Sequence, residues 1–219
     1  MPGRRVLLAG ATGLVGRELL ALLEADQGVA EVVVLVRRAL ATEVDDRRVR
    51  VVVTDFEALD DAARRNPSLF AVDQLFCALG TTIKQAGSQP AFRRVDHDYP
   101  LQLARLARAA GARHFLLVSA LGADAGSRVF YNRVKGELER AVRALDFRSL
   151  TIARPSLLEG DRQEVRPGER LAALFGWLAP ARWKPVHVRQ VARALVAAAA
   201  ADAPGEQIME NTRLREFAR

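Results

Sequence analysis

The sequence predicts an α/β fold, a doubly wound parallel sheet with a small C-terminal cap, and three observations carry that expectation. Short β-branched runs alternate with longer helical stretches over the first two thirds of the chain. Several runs, such as Val32-Val-Val-Leu-Val36, are apolar without a break, as suits strands covered by helices on both faces. A glycine-rich turn joins the first run to the first helical stretch. The 219 residues are enough for one domain with a substantial core. We expect a single domain over 1–219, with a nucleotide-binding core over 1–155 and a substrate-side cap over 156–219.

The elements follow in order. Strands are expected at Val6–Ala9, Val32–Val36, Val49–Val53, Gln74–Ala78, Phe115–Ser119 and Leu150–Ala153. Between them, helices are expected at Gly13–Glu24, Phe56–Arg65, Asp96–Ala110 and Tyr131–Leu145, each ending near a Gly, Pro or polar break. Parallel strands joined through helices cross over right-handed, which favours the doubly wound arrangement. After Arg154-Pro155 the rhythm changes to a polar stretch from Ser156 to Gly168, read as a long loop. Helices at Glu169–Leu178 and Val188–Ala201 and a short strand or coil near Gln207–Glu210 complete the cap. Trp177 and Trp183 are expected to be buried within it.

Composition removes several classes. Thirty-three Lys+Arg against 26 Asp+Glu give +7, yet only three of the cations are lysines and the arginines are dispersed, often beside acids. No block of five like charges occurs, so the basic balance reads as solvated surface and no nucleic-acid partner is expected. The single cysteine, Cys77, excludes disulfide frameworks and multi-cysteine metal sites, and fits the reducing cytoplasm. Glycines break the apolar start at once, and Ala192–Ala201 contains Arg193 and is too short to span a bilayer, so no membrane association is expected. The residues of Asp96-His97-Asp98 diverge on a helix, and with no second cluster no metal site is expected.

The glycine turn reads Gly10-Ala-Thr12-Gly13-Leu14-Val15-Gly16. Gly10 permits the tight turn, Gly13 lets backbone N–H groups approach a pyrophosphate, and Gly16 lets the helix pack closely on the strand. Thr12, Leu14 and Val15 fill the loop and the positive end of the helix, where phosphate would sit. A Walker loop is excluded, because five residues separate Gly10 from Gly16 and Arg17-Glu18 follows. A dinucleotide site in a Rossmann-type fold is expected. The second strand then ends in Arg37-Arg38, where an NAD site usually carries an acid for the ribose hydroxyls. Cations there suit a 2′-phosphate, so NADP(H) is expected over NAD(H). Asp55, ending the third strand, is read either as a partner of the adenine amino group or as a helix N-cap. Small residues at Leu79-Gly80-Thr81 would let the backbone pass close to the cofactor ribose. Cys77 is read as a core residue.

Ser119 ends the fifth strand, and Tyr131 and Lys135 follow at a spacing of four, one turn apart on one helix face. A neighbouring ammonium favours the phenolate of a tyrosine. A strand-end serine can hydrogen-bond a substrate carbonyl, so the three residues form a plausible carbonyl-reduction site. Val118-Ser119-Ala-Leu-Gly122 lacks the elbow of a serine hydrolase. Pro155 and Ser156 follow the sixth strand, at the mouth where substrates enter such sheets. The polar loop beyond them, with Arg162 and Arg166, reads either as a cover selecting an anionic or polar carbonyl compound or as an ordinary solvated loop.

These residues resemble the atypical, extended-like branch of the short-chain dehydrogenase/reductase superfamily. Leu79-Gly-Thr-Thr82, Val95-Asp96-His-Asp98-Tyr99, Val118-Ser-Ala-Leu-Gly-Ala-Asp124 and Asp161-Arg-Gln-Glu-Val-Arg-Pro-Gly168 are similar to the Tat-interacting-protein oxidoreductase group and its bacterial relatives. The resemblance implies NADPH in the sheet crevice, Tyr131 as proton donor, Lys135 holding the ribose and lowering the tyrosine pKa, and Ser119 orienting the substrate. It also implies a substrate-side place for His187, in Pro185-Val-His-Val188. Asp96 stands where many relatives carry asparagine. Two functions are expected from the whole sequence: an oxidoreductase moving a hydride between NADP(H) and a small carbonyl or alcohol, or else an NADPH sensor reporting to a protein partner.

Overall fold

The computed structural model describes residues 3–39, 47–160 and 180–218. Seven parallel strands form the main sheet in the order β3-β2-β1-β4-β5-β6-β9. They are β1 (Arg4–Ala9), β2 (Val29–Val36), β3 (Val49–Val53), β4 (Gln74–Cys77), β5 (His114–Val118), β6 (Ser149–Arg154) and β9 (Gly205–Glu210). The first six follow the expected order, and their sequence reverses between β1 and β4, which opens a crevice at the carboxyl ends of those strands.

Successive strand residues point to opposite faces, and both faces are apolar. Leu7, Ala9, Val33 and Leu35 pack with α2 (Leu59–Arg65), α5 (Tyr99–Ala109) and α6 (Phe130–Arg143). Their neighbours Val6, Leu8, Val32 and Val34 pack on the other side with α1 (Leu14–Ala25) and α7 (Val188–Ala201). The uninterrupted apolar runs in the sequence are the direct consequence of two covered faces.

Two features depart from expectation. The last segment does more than cap the fold: β9 pairs along the whole of β6, from Ser149 with Gly205 to Arg154 with Glu210, and α7 packs against α1. Trp183, expected to be buried, is 53% exposed, with the Arg182 guanidinium 5.7 Å from its ring centroid. Its indole is covered by a solvated cation on the surface, so no core forms around it. The helix expected at Glu169–Leu178, with Trp177, lies outside the described residues. A short two-stranded parallel sheet joins β7 (Leu158–Glu159) to β8 (Val186–His187). Among the described residues no helix is long and apolar enough to cross a membrane.

One irregularity positions the site. After a short helix α3 (Ile83–Ala86), helix α4 (Gln89–Arg93) continues into a π turn at Arg94–Asp98 and then into α5. Pro100 explains it. Its nitrogen has no proton to give to the carbonyl of Asp96, and its ring would strike that carbonyl in a regular helix. The chain widens instead, and the Tyr99 N–H reaches back five residues to the Arg94 carbonyl. The wide turn carries Asp96 into the interior, where it is 1% exposed.

Candidate active site

The turn after β1 is built on close backbone approach. Gly10 has φ of +93°, and a Cβ there would lie 2.5 Å from the carbonyl oxygen of Ala78, so the turns after β1 and β4 run backbone against backbone. At Gly16 a Cβ would overlap the Gly10 carbonyl and come within 2.9 Å of Ala11 Cα. The Gly13 N–H donates to the Gly10 oxygen at 3.0 Å, and Gly13 then caps α1 with no side chain. The first-turn N–H groups of α1, at Leu14, Val15 and Gly16, therefore have no side-chain acceptor at the cap, in a turn without acidic residues. Donors at a positive helix end, approached through a loop too tight for side chains, fit a pyrophosphate. Thr12 and Gly13 are exposed and Leu14 half-buried, whereas Val15 is in the core.

At the carboxyl end of β2, Arg37 and Arg38 are both exposed. Arg37 acts electrostatically on Tyr99, whose hydroxyl donates to Glu57 at 2.6 Å, and Arg94 pairs with the same carboxylate at 3.1 Å. Burial, then the Glu57 carboxylate, pushes the Tyr99 phenol up to about 12. Asp55 accepts the Glu57 N–H at 2.9 Å, the N-cap role the sequence allowed it.

The turn after β4 meets helix α6 at a buried ion pair. Lys135 Nζ lies 2.7 Å from Asp96 Oδ1, with side chains 4% and 1% exposed. The other Asp96 oxygen accepts the Thr81 N–H at 2.9 Å. Gly80 roofs the pair, since a Cβ there would sit 3.6 Å from Asp96 Oδ1 and 3.9 Å from Lys135 Nζ. Leu79 is half-buried behind it, and its backbone hydrogen-bonds the Cys77 thiol. Burial pushes that thiol up to about 11, so it is protonated at neutral pH. One turn from Lys135, Tyr131 is half-buried, its ring 5.5 Å from that of Phe92, and it acts electrostatically on Lys135. Burial is the largest influence on Lys135 and opposes its charge, but Asp96, with Tyr131 and Cys77 acting the same way, holds the ammonium above the ordinary lysine range.

Ser119 is arranged differently from the expectation. It is 5% exposed, and its hydroxyl donates to Glu139 Oε1 at 2.6 Å. Glu139, 1% exposed, is clasped by Arg154 at 2.6 Å and by Arg143 at 3.4 Å, and Arg154 reaches on to Glu210 at 2.9 Å. With its proton given to a charged acceptor, Ser119 presents lone pairs, whereas a carbonyl oxygen requires a donor. The sequence marks Asp96 only as standing where many relatives carry asparagine, and it does not bring out Glu139 as the partner of Ser119. Glu139 was signalled: Tyr131, Lys135 and Glu139 repeat every fourth residue along one face.

Around the mouth, Pro155 is buried and its carbonyl accepts the Leu121 N–H at 2.8 Å. Ser156 Oγ donates to the Lys184 carbonyl at 2.7 Å. Asn211, fully buried, accepts the Ser156 N–H at 2.9 Å and donates to the carbonyls of Arg182 and Lys184 at 3.1 and 2.8 Å. His187 caps α7, accepting the Arg189 N–H, and lines a cleft of about 230 Å³ with Leu14, Arg17, Glu18, Val188 and Arg189 beside the start of α1. Arg162 and Arg166 lie outside the described residues. No group of three His, Cys, Asp or Glu residues able to hold a metal occurs among the described residues.

The sequence is 39% identical over 216 residues to Protein HTATIP2 of Rattus norvegicus, covering 96% of this chain and 88% of that one. It is 38% identical over 174 residues to Protein fmp52, mitochondrial, of Emericella nidulans, covering 78% and 73%. Solved structures of similar fold include MoeE5 in complex with UDP-glucose and NAD, at TM-score 0.69, 21% identity and coverage of 93% and 74%. Another is the Bordetella bronchiseptica enzyme WbmH in complex with NAD+, at TM-score 0.70, 16% identity and coverage of 94% and 75%. With the glycine turn, the parallel sheet and a match that extends over residues 10–206, the chain belongs to the NAD(P)H-binding family.

Proposed function

We propose that the chain is an NADP(H)-dependent oxidoreductase acting on a small carbonyl or alcohol. One observation carries the reading: Tyr131 and a buried, charged Lys135 stand one turn apart on α6, with Lys135 beside the turn after β4. A bound nicotinamide dinucleotide supplies the hydride. The glycine turn and the start of α1 would hold its pyrophosphate, Arg37 and Arg38 its 2′-phosphate, and Leu79 to Thr81 would run past its ribose. Tyr131 would give or take the proton at the substrate oxygen, with Lys135 stabilising the phenolate.

The cofactor preference is tested by fluorescence titration with NADPH and NADH. Charge-assisted bonds to a phosphate are worth about 1.5–3 kcal/mol, roughly 10- to 150-fold in affinity. NADPH should bind tighter by that order, and Arg37→Ala should remove most of the preference. Equal affinities, or a preference that survives Arg37→Ala, would refute the 2′-phosphate assignment. A turnover screen over aldehydes, ketones and quinones tests the chemistry, and activity unchanged by Tyr131→Phe would remove Tyr131 from it.

A second reading, an NADPH sensor without turnover, is favoured by the Ser119 hydroxyl, which donates its proton to Glu139. Cofactor binding without turnover across the screen would support it.

A further inference from the structure

We propose that Asp96 is a positioning residue that keeps Lys135 charged and aimed, and that ties it to the Gly80-Thr81 turn expected to border the cofactor. Its bearing on chemistry rests on the oxidoreductase reading above; its electrostatics does not.

A lysine this deeply buried should not be charged on its own. Removing an ammonium from water favours its neutral form, by several pKa units in fully buried cases. The groups acting most strongly on Lys135 are Asp96 from the π turn, Tyr131 from its own helix and Cys77 from β4. The protonated Cys77 thiol brings no formal charge at neutral pH. Of the three, Asp96 is the one carboxylate, and at 2.7 Å it is the group that does most to offset the desolvation, with Tyr131 acting in the same direction.

The geometry shows a purpose beyond charge balance. Asp96 divides its oxygens between two elements, Oδ1 to Lys135 on α6 and Oδ2 to the Thr81 N–H on the turn after β4. Gly80, an exposed residue without a side chain, lies over the pair. A carboxylate bonded to the turn and to the lysine fixes their relative position, so the ammonium sits in register with the backbone that would flank the ribose. Asp96 reaches this place because the π turn forced by Pro100 puts it inside the helix pair. An asparagine would keep the bond to Thr81 and lose the charge.

The full-length protein without cofactor gives a direct test. The chain has three lysines, Lys84, Lys135 and Lys184, so ¹³Cε-lysine labelling yields three signals, assigned by single Lys→Arg changes at 84 and 184. In the wild type, the Lys135 signal should stay in its protonated position through the ordinary lysine range. In Asp96→Asn its midpoint should fall by about two units or more, the scale of buried lysines without a counter-ion. Asp96→Glu should restore part of the loss. An unchanged Lys135 midpoint in Asp96→Asn would overturn the proposal. If that variant does not fold, a wild-type Lys135 that titrates at or below the ordinary lysine value would overturn it equally.

Where turnover is found, Asp96→Asn should lose activity as pH rises through its lowered Lys135 midpoint, at pH values where the wild type still turns over, and regain it at lower pH, as Lys135 is reprotonated. A purely structural loss would not follow pH in this way. If the lysine titration behaves as stated while no turnover appears, the oxidoreductase reading fails and the Asp96 assignment stands.

Discussion

Replacing Gly136 by alanine sets two physical effects against each other. Gly136 lies inside α6, between Lys135 and Glu137, where alanine should stabilise an isolated helix by about 1 kcal/mol. Packing predicts the opposite. A Cβ at this position would lie 2.5 Å from Asp124 Cα and closer still to the Asp124 carbonyl carbon and the Ala125 nitrogen. These are backbone atoms of the turn beneath the helix, so no side chain can swing aside. Overpacking costs about 1–3 kcal/mol, and a backbone clash belongs at the upper end, leaving a net loss of about 2 kcal/mol. For a chain of this length each kcal/mol moves the melting temperature by about 2–4 °C, so Tm should fall by about 4–8 °C. NADPH affinity should fall with it, because the displaced helix carries Tyr131 and Lys135. Gly126→Ala is the control: its Cβ would meet Asp124 Oδ1 at an ordinary 3.5 Å, and Tm should hardly move. Thermal melts followed by circular dichroism decide the matter. A Gly136→Ala protein melting at or above the wild type would refute the close approach of α6 to this turn.

Two further predictions concern buried polar groups. Glu139→Ala removes the carboxylate clasped by Arg154 and Arg143 and orphans the Ser119 hydroxyl. Breaking a buried pair costs about 3–5 kcal/mol, and because Arg154 is partly exposed and can rehydrate, the lower end is expected. A urea midpoint equal to the wild type would contradict it. His114 is 2% exposed, its ring nitrogens meeting Asp202 at 3.1 Å and Thr151 at 2.9 Å, and burial, opposed by Asp202, lowers its pKa from 6.5. The unfolded chain therefore takes up this proton at higher pH than the folded one. Its contribution to stability is present above pH 6.5 and is lost as pH falls, by at most about 1.4 kcal/mol per unit. Urea midpoints measured between pH 7.5 and 5.5 should fall less steeply in His114→Gln than in the wild type, and parallel slopes would rule out His114 as the source.

The parts of the fold legible in the sequence are those with a short period. Strands with both faces covered show as unbroken apolar runs, and the glycine turn shows because spacing alone decides which backbones can touch. Tyr131 and Lys135 are legible as a pair because four residues make one helical turn. Asp96 is harder to read, since a π turn shifts the facing of every residue around it; the local hint is Pro100, four residues on, which breaks the regular ladder. The seventh strand is ambiguous in the sequence for a different reason. Gly205–Glu210 is exposed at five of its six positions, as an edge strand can be, and its pairing with β6 is a long-range fact without a local pattern. Exposure of Trp183 is equally non-local.

Asn211 gives the chain a break point that leaves the sheet untouched. Its single amide fastens Ser156 on one side of residues 161–179 and Arg182 and Lys184 on the other, and the β7–β8 pairing secures the same two ends. Once the ends of a segment are fixed, its length enters stability only through a slowly growing logarithm, about 0.6 kcal/mol for each doubling. A change in the number of residues between Ser156 and Arg182 should therefore leave the seven-stranded sheet as it is, because the ties that join the two ends do not depend on it.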